Sequence, residues 1–168
     1  MRILGIDPGL QLTGYACIHA DPDDASIRRH TLIEAGVFKL RPKDSLAHRL
    51  GELETDLAAL IERTRPALAC VEALFSHYAF PATAVTMGHA RGVILLTLHR
   101  AGVPIVEFKP NAIKKHVTGN GHASKAQMQH AVQMLLALEQ LPEPADVADA
   151  IAIALTGAAR TNTPSPTT

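Results

Sequence analysis

The sequence predicts an α/β domain in which helices flank a mixed sheet of five strands. Three observations lead there. The N-terminal quarter consists of extended runs separated by short turns, as in an antiparallel meander. Beyond it, short apolar runs alternate with amphipathic ones, the pattern of strands joined by helices. A chain of 168 residues, 47% apolar and 19% charged, can also bury a core without covalent staples.

Taken in order, "RILGID" alternates loosely and reads as the first strand, "PGLQ" as a turn and "TGYACIHA" as the second strand. "DPDDAS" turns the chain again, and "IRRHTLIEAGVFKL" is mostly extended. In "DSLAHRLGELETDLAALIER", Leu46, Leu50, Leu53, Leu57, Leu60 and Ile61 fall at helical spacing, with Asp44 or Ser45 as N-cap. "PALACVE" is short, apolar and ends on an acid, which suits a central strand. Residues 79–101 are helical in composition, and Gly102 stops that helix before "VPIVEF", the fifth strand. "KPNAIKKHV" reads as a short helix opening near Pro110. "TGNGHAS" is a loop whose Gly119 and Gly121 would let backbone amides approach a phosphate, with a plain turn as the simpler reading. Ser124 then caps "KAQMQHAVQMLLALE", "LPEPAD" breaks the chain and "VADAIAIALTGAAR" forms the last helix. The expected organisation is one domain over residues 1–160 and a disordered tail, "TNTPSPTT", over 161–168.

Formal net charge is zero, which argues against a protein that coats nucleic acid with a uniformly positive field. The distribution is more telling. From Phe108 to Leu138 the chain carries Lys109, Lys114, Lys115 and Lys125 and no acid, while Glu139 to Asp149 carries acids and no base. Cys17 and Cys70 sit in apolar strand-like runs, which reads as two buried thiols in a reducing compartment. The N-terminus lacks a signal-peptide layout and no apolar run reaches membrane-spanning length, so a cytoplasmic protein without a membrane partner is expected.

Acids stand at the ends of elements: Asp7 closes the first strand, Glu72 the fourth, and Asp146 and Asp149 open the final helix on one face. If the first and fourth strands are neighbours, all of these carboxylates gather at one sheet edge, where open α/β sheets bind ligands. Oxygen donors of this kind select hard cations, and two Mg²⁺ ions (or Mn²⁺ in their place) would clamp the attacking and leaving oxygens of a phosphodiester. Each acid has an ordinary reading as well. Asp7 before Pro8 and Gly9 suits an Asx turn, Glu72 a loop start, Asp146 an N-cap and Asp149 the favourable first turn of a helix.

The motifs in combination carry more. "ILGIDPGLQLTGYA", the "VE" of Val71 and Glu72, "GHARGVIL", "VTGNGHASKAQM" and "DVADAIAIAL" occur in the order and at the distances of one family. The chain resembles the crossover junction endodeoxyribonuclease RuvC family, the Holliday-junction resolvases with a ribonuclease H-like fold. The resemblance implies that Asp7, Glu72, Asp146 and Asp149 are the catalytic metal carboxylates and that two Mg²⁺ ions are bound per subunit. It places Phe75 as the aromatic that unstacks bases at the junction centre, and Lys115 and Lys125 as basic groups beside the scissile strand. It further implies a homodimer acting on four-way junction DNA, with the RuvAB branch-migration complex as partner. The run after Phe75, "SHYAFPATAVTMGHARG", is less basic and less amide-rich than the family's, and His89 replaces its usual glutamine.

The expected activity is hydrolysis of a DNA phosphodiester, with Asp7 serving both ions and Lys125 offsetting charge at the reacting phosphate. Arg91, Lys109, Lys114 and Lys115 are candidate phosphate contacts. Tyr78 shares the loop of Phe75 and is a candidate for base stacking. Two other readings keep the same residues: a ribonuclease H-like nuclease with a different substrate, and a non-catalytic junction-binding module whose acids only cap.

Overall fold

The computed structural model describes residues 1–9, 11–21, 30–73 and 81–161. Its strands are β1 (Arg2–Asp7), β2 (Leu12–His19), β3 (Thr31–Lys39), β4 (Leu68–Glu72) and β5 (Ile105–Phe108). The helices are α1 (Leu46–Thr64), α2 (Pro81–Arg100), α3 (Pro110–Thr118), α4 (Lys125–Leu135) and α5 (Ala145–Thr161). The strands form one mixed sheet in the order β3-β2-β1-β4-β5. β1 pairs antiparallel with β2 and parallel with β4, so the first strand in sequence is central.

Strand alternation assigns each residue to a layer. Leu4, Ile6, Cys17, Ala69 and Val71 face α1 and α2, where Leu53, Leu57, Leu60, Ile94 and Leu98 are fully buried. Burying each such side chain contributes about 1.5–3 kcal/mol. Ile3, Ala16, Ile18, Leu68 and Cys70 face the other way, onto α3, α4 and α5. Cys17 and Cys70 are therefore buried on opposite faces and both free.

α5 is the helix that fixes the site. Its run from Ala150 to Leu155 is fully buried, and its small side chains let it lie directly on the sheet. It crosses the face diagonally: Asp146 lies over Gly14 of β2, Ala150 over Gly5 of β1, and Gly157 against Cys70 of β4.

Most predicted elements stand, with adjusted ends. Ser45 rather than Asp44 caps α1, its side chain accepting from the His48 backbone N–H. α4 stops at Leu135 and not near Glu139, since Ala137 adopts a positive φ of 49° that no continuing helix allows. Ser124 and Gln127 form a reciprocal capping box at its start. α5 reaches Thr161, and the rest of the expected tail, residues 162–168, lies outside the described residues. Among the described residues no helix is long and apolar enough to cross a membrane.

Candidate active site

β1 and β4 run parallel and side by side, with Ile6 opposite Val71. Asp7 and Glu72 each follow that pair and point to the α5 side of the sheet, because Ile3, Leu68 and Cys70 share their alternation and lie in that core. Asp7 is also the register partner of Gly14, the residue beneath Asp146. One helical turn on, Asp149 shares the face of Asp146. Strand ends and a helix N-terminus thus bring these carboxylates, each half-buried, to the carboxyl edge of the central strands, though no three of them have donor atoms within 4.8 Å of one another.

Electrostatics record the convergence. Burial pushes the Asp7 carboxyl up to about 8, and Glu72, Asp149 and Asp146 each add to the rise, while Lys125 opposes it. Glu72 is pushed up to about 7 by burial and then by Asp149, with Lys114 opposing. Asp149 is likewise raised, first by burial, and Lys125 and Lys114 restrain it against Asp146. Asp7 and Glu72, half-dry and repelled by neighbouring acids, hold protons near neutrality. A divalent cation removes the conflict, and a donor set made of carboxylate oxygens fits a hard ion.

The lysines divide. Lys114 on α3 and Lys125 at the start of α4 act on the acids electrostatically. Lys115 is exposed and acts on none of the shifted acids. The buried face of α3 carries Ile113 and Val117, and Lys114 stands three residues before Val117, so helical spacing was a usable signal for it. Lys109 is the N-cap residue of α3. Arg91 lies in the other layer, on α2, where its guanidinium meets Glu107 at 2.6 Å. Its charge is already paired within the chain.

The "TGNGHAS" segment is a turn held by its own groups. The Asn120 and His122 backbone N–H groups donate to Thr118 Oγ1 and Asn120 Oδ1 at 3.1 and 3.0 Å. The Ser124 N–H donates to Gln127 Oε1 at 2.8 Å. With those amides engaged, they do not form an open phosphate cradle. Phe75 and Tyr78 lie outside the described residues. A separate group of ligand-type side chains, Asp44, His48 and Glu52, has its donor atoms within 4.8 Å of one another at the start of α1. It belongs to the opposite layer, and His48 and Glu52 form an exposed pair one turn apart at 3.5 Å.

A central strand flanked by one parallel and one antiparallel neighbour, with carboxylates at its end and a helix laid across it, defines an α/β domain of the ribonuclease H-like class. The family model described as "Crossover junction endodeoxyribonuclease RuvC" matches residues 3–157. The chain belongs to the crossover junction endodeoxyribonuclease RuvC family. It is 49% identical to the protein of that name from Rhodopirellula baltica over 162 residues, covering 96% of this chain and 88% of the relative. The counterpart from Heliobacterium modesticaldum is 44% identical, with 92% of each chain covered. Among solved structures, T. thermophilus RuvC in complex with a Holliday junction substrate matches with a TM-score of 0.88 at 31% identity, covering 96% of this chain and 95% of that one.

Proposed function

We propose that the protein is a metal-dependent endodeoxyribonuclease that resolves four-way (Holliday) DNA junctions by paired symmetric nicks. What supports this is the placement of Asp7, Glu72, Asp146 and Asp149 at one sheet edge, where Asp7 feels the charge of the other three and Lys114 and Lys125 act on the set. Membership of the RuvC family supports the substrate.

In this reading Asp7, Glu72, Asp146 and Asp149 hold two Mg²⁺ ions per subunit, with Mn²⁺ as the alternative. Such ions, when bound, generate the attacking hydroxide and offset charge on the leaving oxygen. The chain supplies the rest. Asp7, on the central strand, is shared by both sides of the site. Lys125 and Lys114 offset negative charge around the scissile phosphate, and Lys109 and Lys115 hold the flanking backbone. Phe75 and Tyr78 stack on bases opened at the junction centre. Arg91 serves this interface less well than Lys114 and Lys125, since Glu107 engages it.

A homodimer through α2 fits the same reading. One side of that helix is buried at Ala90, Ile94 and Leu98, while Val85 and Leu96 are exposed by 60% and 48%. Gly88 and Gly92 between them face open space. A twofold copy on this side would present two sites to two opposed strands of a junction. Family membership supports a cytoplasmic location and work alongside the RuvAB branch-migration complex.

The test compares a four-way junction with linear duplex and an RNA–DNA hybrid, each with Mg²⁺ or EDTA. Paired nicks on the junction alone, abolished by EDTA and by Asp7→Asn with junction binding retained, are expected. Equal cleavage of duplex or hybrid, or undiminished nicking by Asp7→Asn, would overturn the reading.

A further inference from the structure

We propose that Gly14, on β2, is a positioning residue for the cation site, its missing side chain being the space that seats the first turn of α5 and with it Asp146. This rests on the metal-binding reading of the acids. A Cβ built on Gly14 would overlap the Asp146 carbonyl oxygen and stand 2.8 Å from its carbonyl carbon and 3.3 Å from its Cβ. Carbon atoms settle at about 3.5–4.0 Å, so the first turn of α5 must lift by roughly 0.7–1.2 Å to admit a methyl group.

The strand cannot yield instead. Gly14 is flanked by strands on both sides, opposite Asp7 on β1 and Val37 on β3, in a strand whose two edges are both paired. The helix end moves, and it carries the Asp146 carboxylate with it. Asp7 stays, because it belongs to the strand. The methyl group therefore displaces one member of the ligand set, Asp146, relative to another, Asp7. Mg²⁺ demands near-ideal octahedral geometry, and functional groups tolerate about 0.5 Å of misplacement. The required shift exceeds that.

Gly5 has the same role a turn further along the helix. An added Cβ there would overlap the Ala150 carbonyl oxygen and stand 2.7 Å from the Ala154 nitrogen. It lifts the helix from beneath its buried middle, so its effect on the acids comes with a larger loss of packing.

The experiment measures Mn²⁺ binding by electron paramagnetic resonance, and the rise in melting temperature on adding Mg²⁺, on the full chain without DNA. Wild type is compared with Gly14→Ala, Asp7→Asn and Leu57→Ala. The last lies in the opposite core, fully buried on α1, and reports loss of stability alone. Wild type and Leu57→Ala should share one Mn²⁺ midpoint, while Gly14→Ala needs at least tenfold more Mn²⁺ and loses most of the Mg²⁺-induced rise. Gly14→Ala binding like wild type while Asp7→Asn does not would overturn the positioning role and leave the metal reading intact. Weak binding by wild type, unchanged in Asp7→Asn, would overturn both. Recovery of Gly14→Ala unfolded, while Leu57→Ala folds, would show that the glycine serves folding and would overturn the proposal.

Discussion

Asp7→Asn should make the cation-free protein more stable near and above neutral pH, although it removes the central group of the proposed site. The folded Asp7 carboxyl is raised from 3.8 to about 8. A raised acid contributes its full stability below the unfolded value and loses it as pH climbs through the folded one. At pH 7 the gap from 3.8 corresponds to about 4 kcal/mol against folding, at about 1.4 kcal/mol per pH unit. Asparagine carries no proton to lose, but its amide is desolvated in the same place, at about 1–3 kcal/mol. About 2 kcal/mol remains, or roughly 4–8 °C in melting temperature for a chain of this length. Thermal melts in EDTA between pH 5 and pH 8.5 check this, and the advantage of Asp7→Asn should widen as pH rises. A variant that melts at or below wild type at pH 8, or a difference that is flat with pH, would refute the account of a half-dry, mutually repelling carboxylate set.

Further outcomes follow from the same geometry. Mg²⁺ affinity should rise between pH 6.5 and 8.5, because the raised Asp7 and Glu72 carboxyls must release protons to bind it; the Mg²⁺ dependence of the melting temperature at each pH measures this. Lys114→Ala should slow single-turnover junction cleavage by at least tenfold, while Lys115→Ala should stay within about threefold. Equal effects of the two would contradict the orientation of α3. Phe75→Ala should weaken opening of the junction centre, read by a fluorescent base analogue there, by about 1–3 kcal/mol, the usual worth of base stacking on an aromatic ring. Leu57→Ala should destabilise the fold by about 2–5 kcal/mol, since the side chain is fully buried in the α1 layer.

The class of fold and the placement of the acids at the ends of elements were legible without coordinates, because both are written locally. Alternation in "RILGID" and "PALACVE" marks strands by which neighbours are apolar, and an acid at the end of each is a fact of position. Helical spacing in "DVADAIAIAL" places Asp146 and Asp149 on one face. The motif order added the family. Nothing local distinguishes the adjacent lysines Lys114 and Lys115 as strongly, and the family resemblance puts Lys115 beside the scissile strand; the packing of Ile113 and Val117 turns Lys114 toward the acids. Arg91 reads in sequence as a candidate phosphate contact, and only the pairing of Val71 with Glu107 puts a carboxylate on the α2 side to meet it.

Periodicity and turn chemistry act over a few residues, so the order of amino acids was enough to say which residue types stand at the ends of which elements. Their spacing across the sheet is a property of the folded chain. Asp7 and Asp146 are far apart in sequence, and they meet because β1 is central, β2 is held on both sides, and a glycine leaves room for α5 to descend onto it. Register and helix depth are set by packing between distant segments, where one methyl group has nowhere to go.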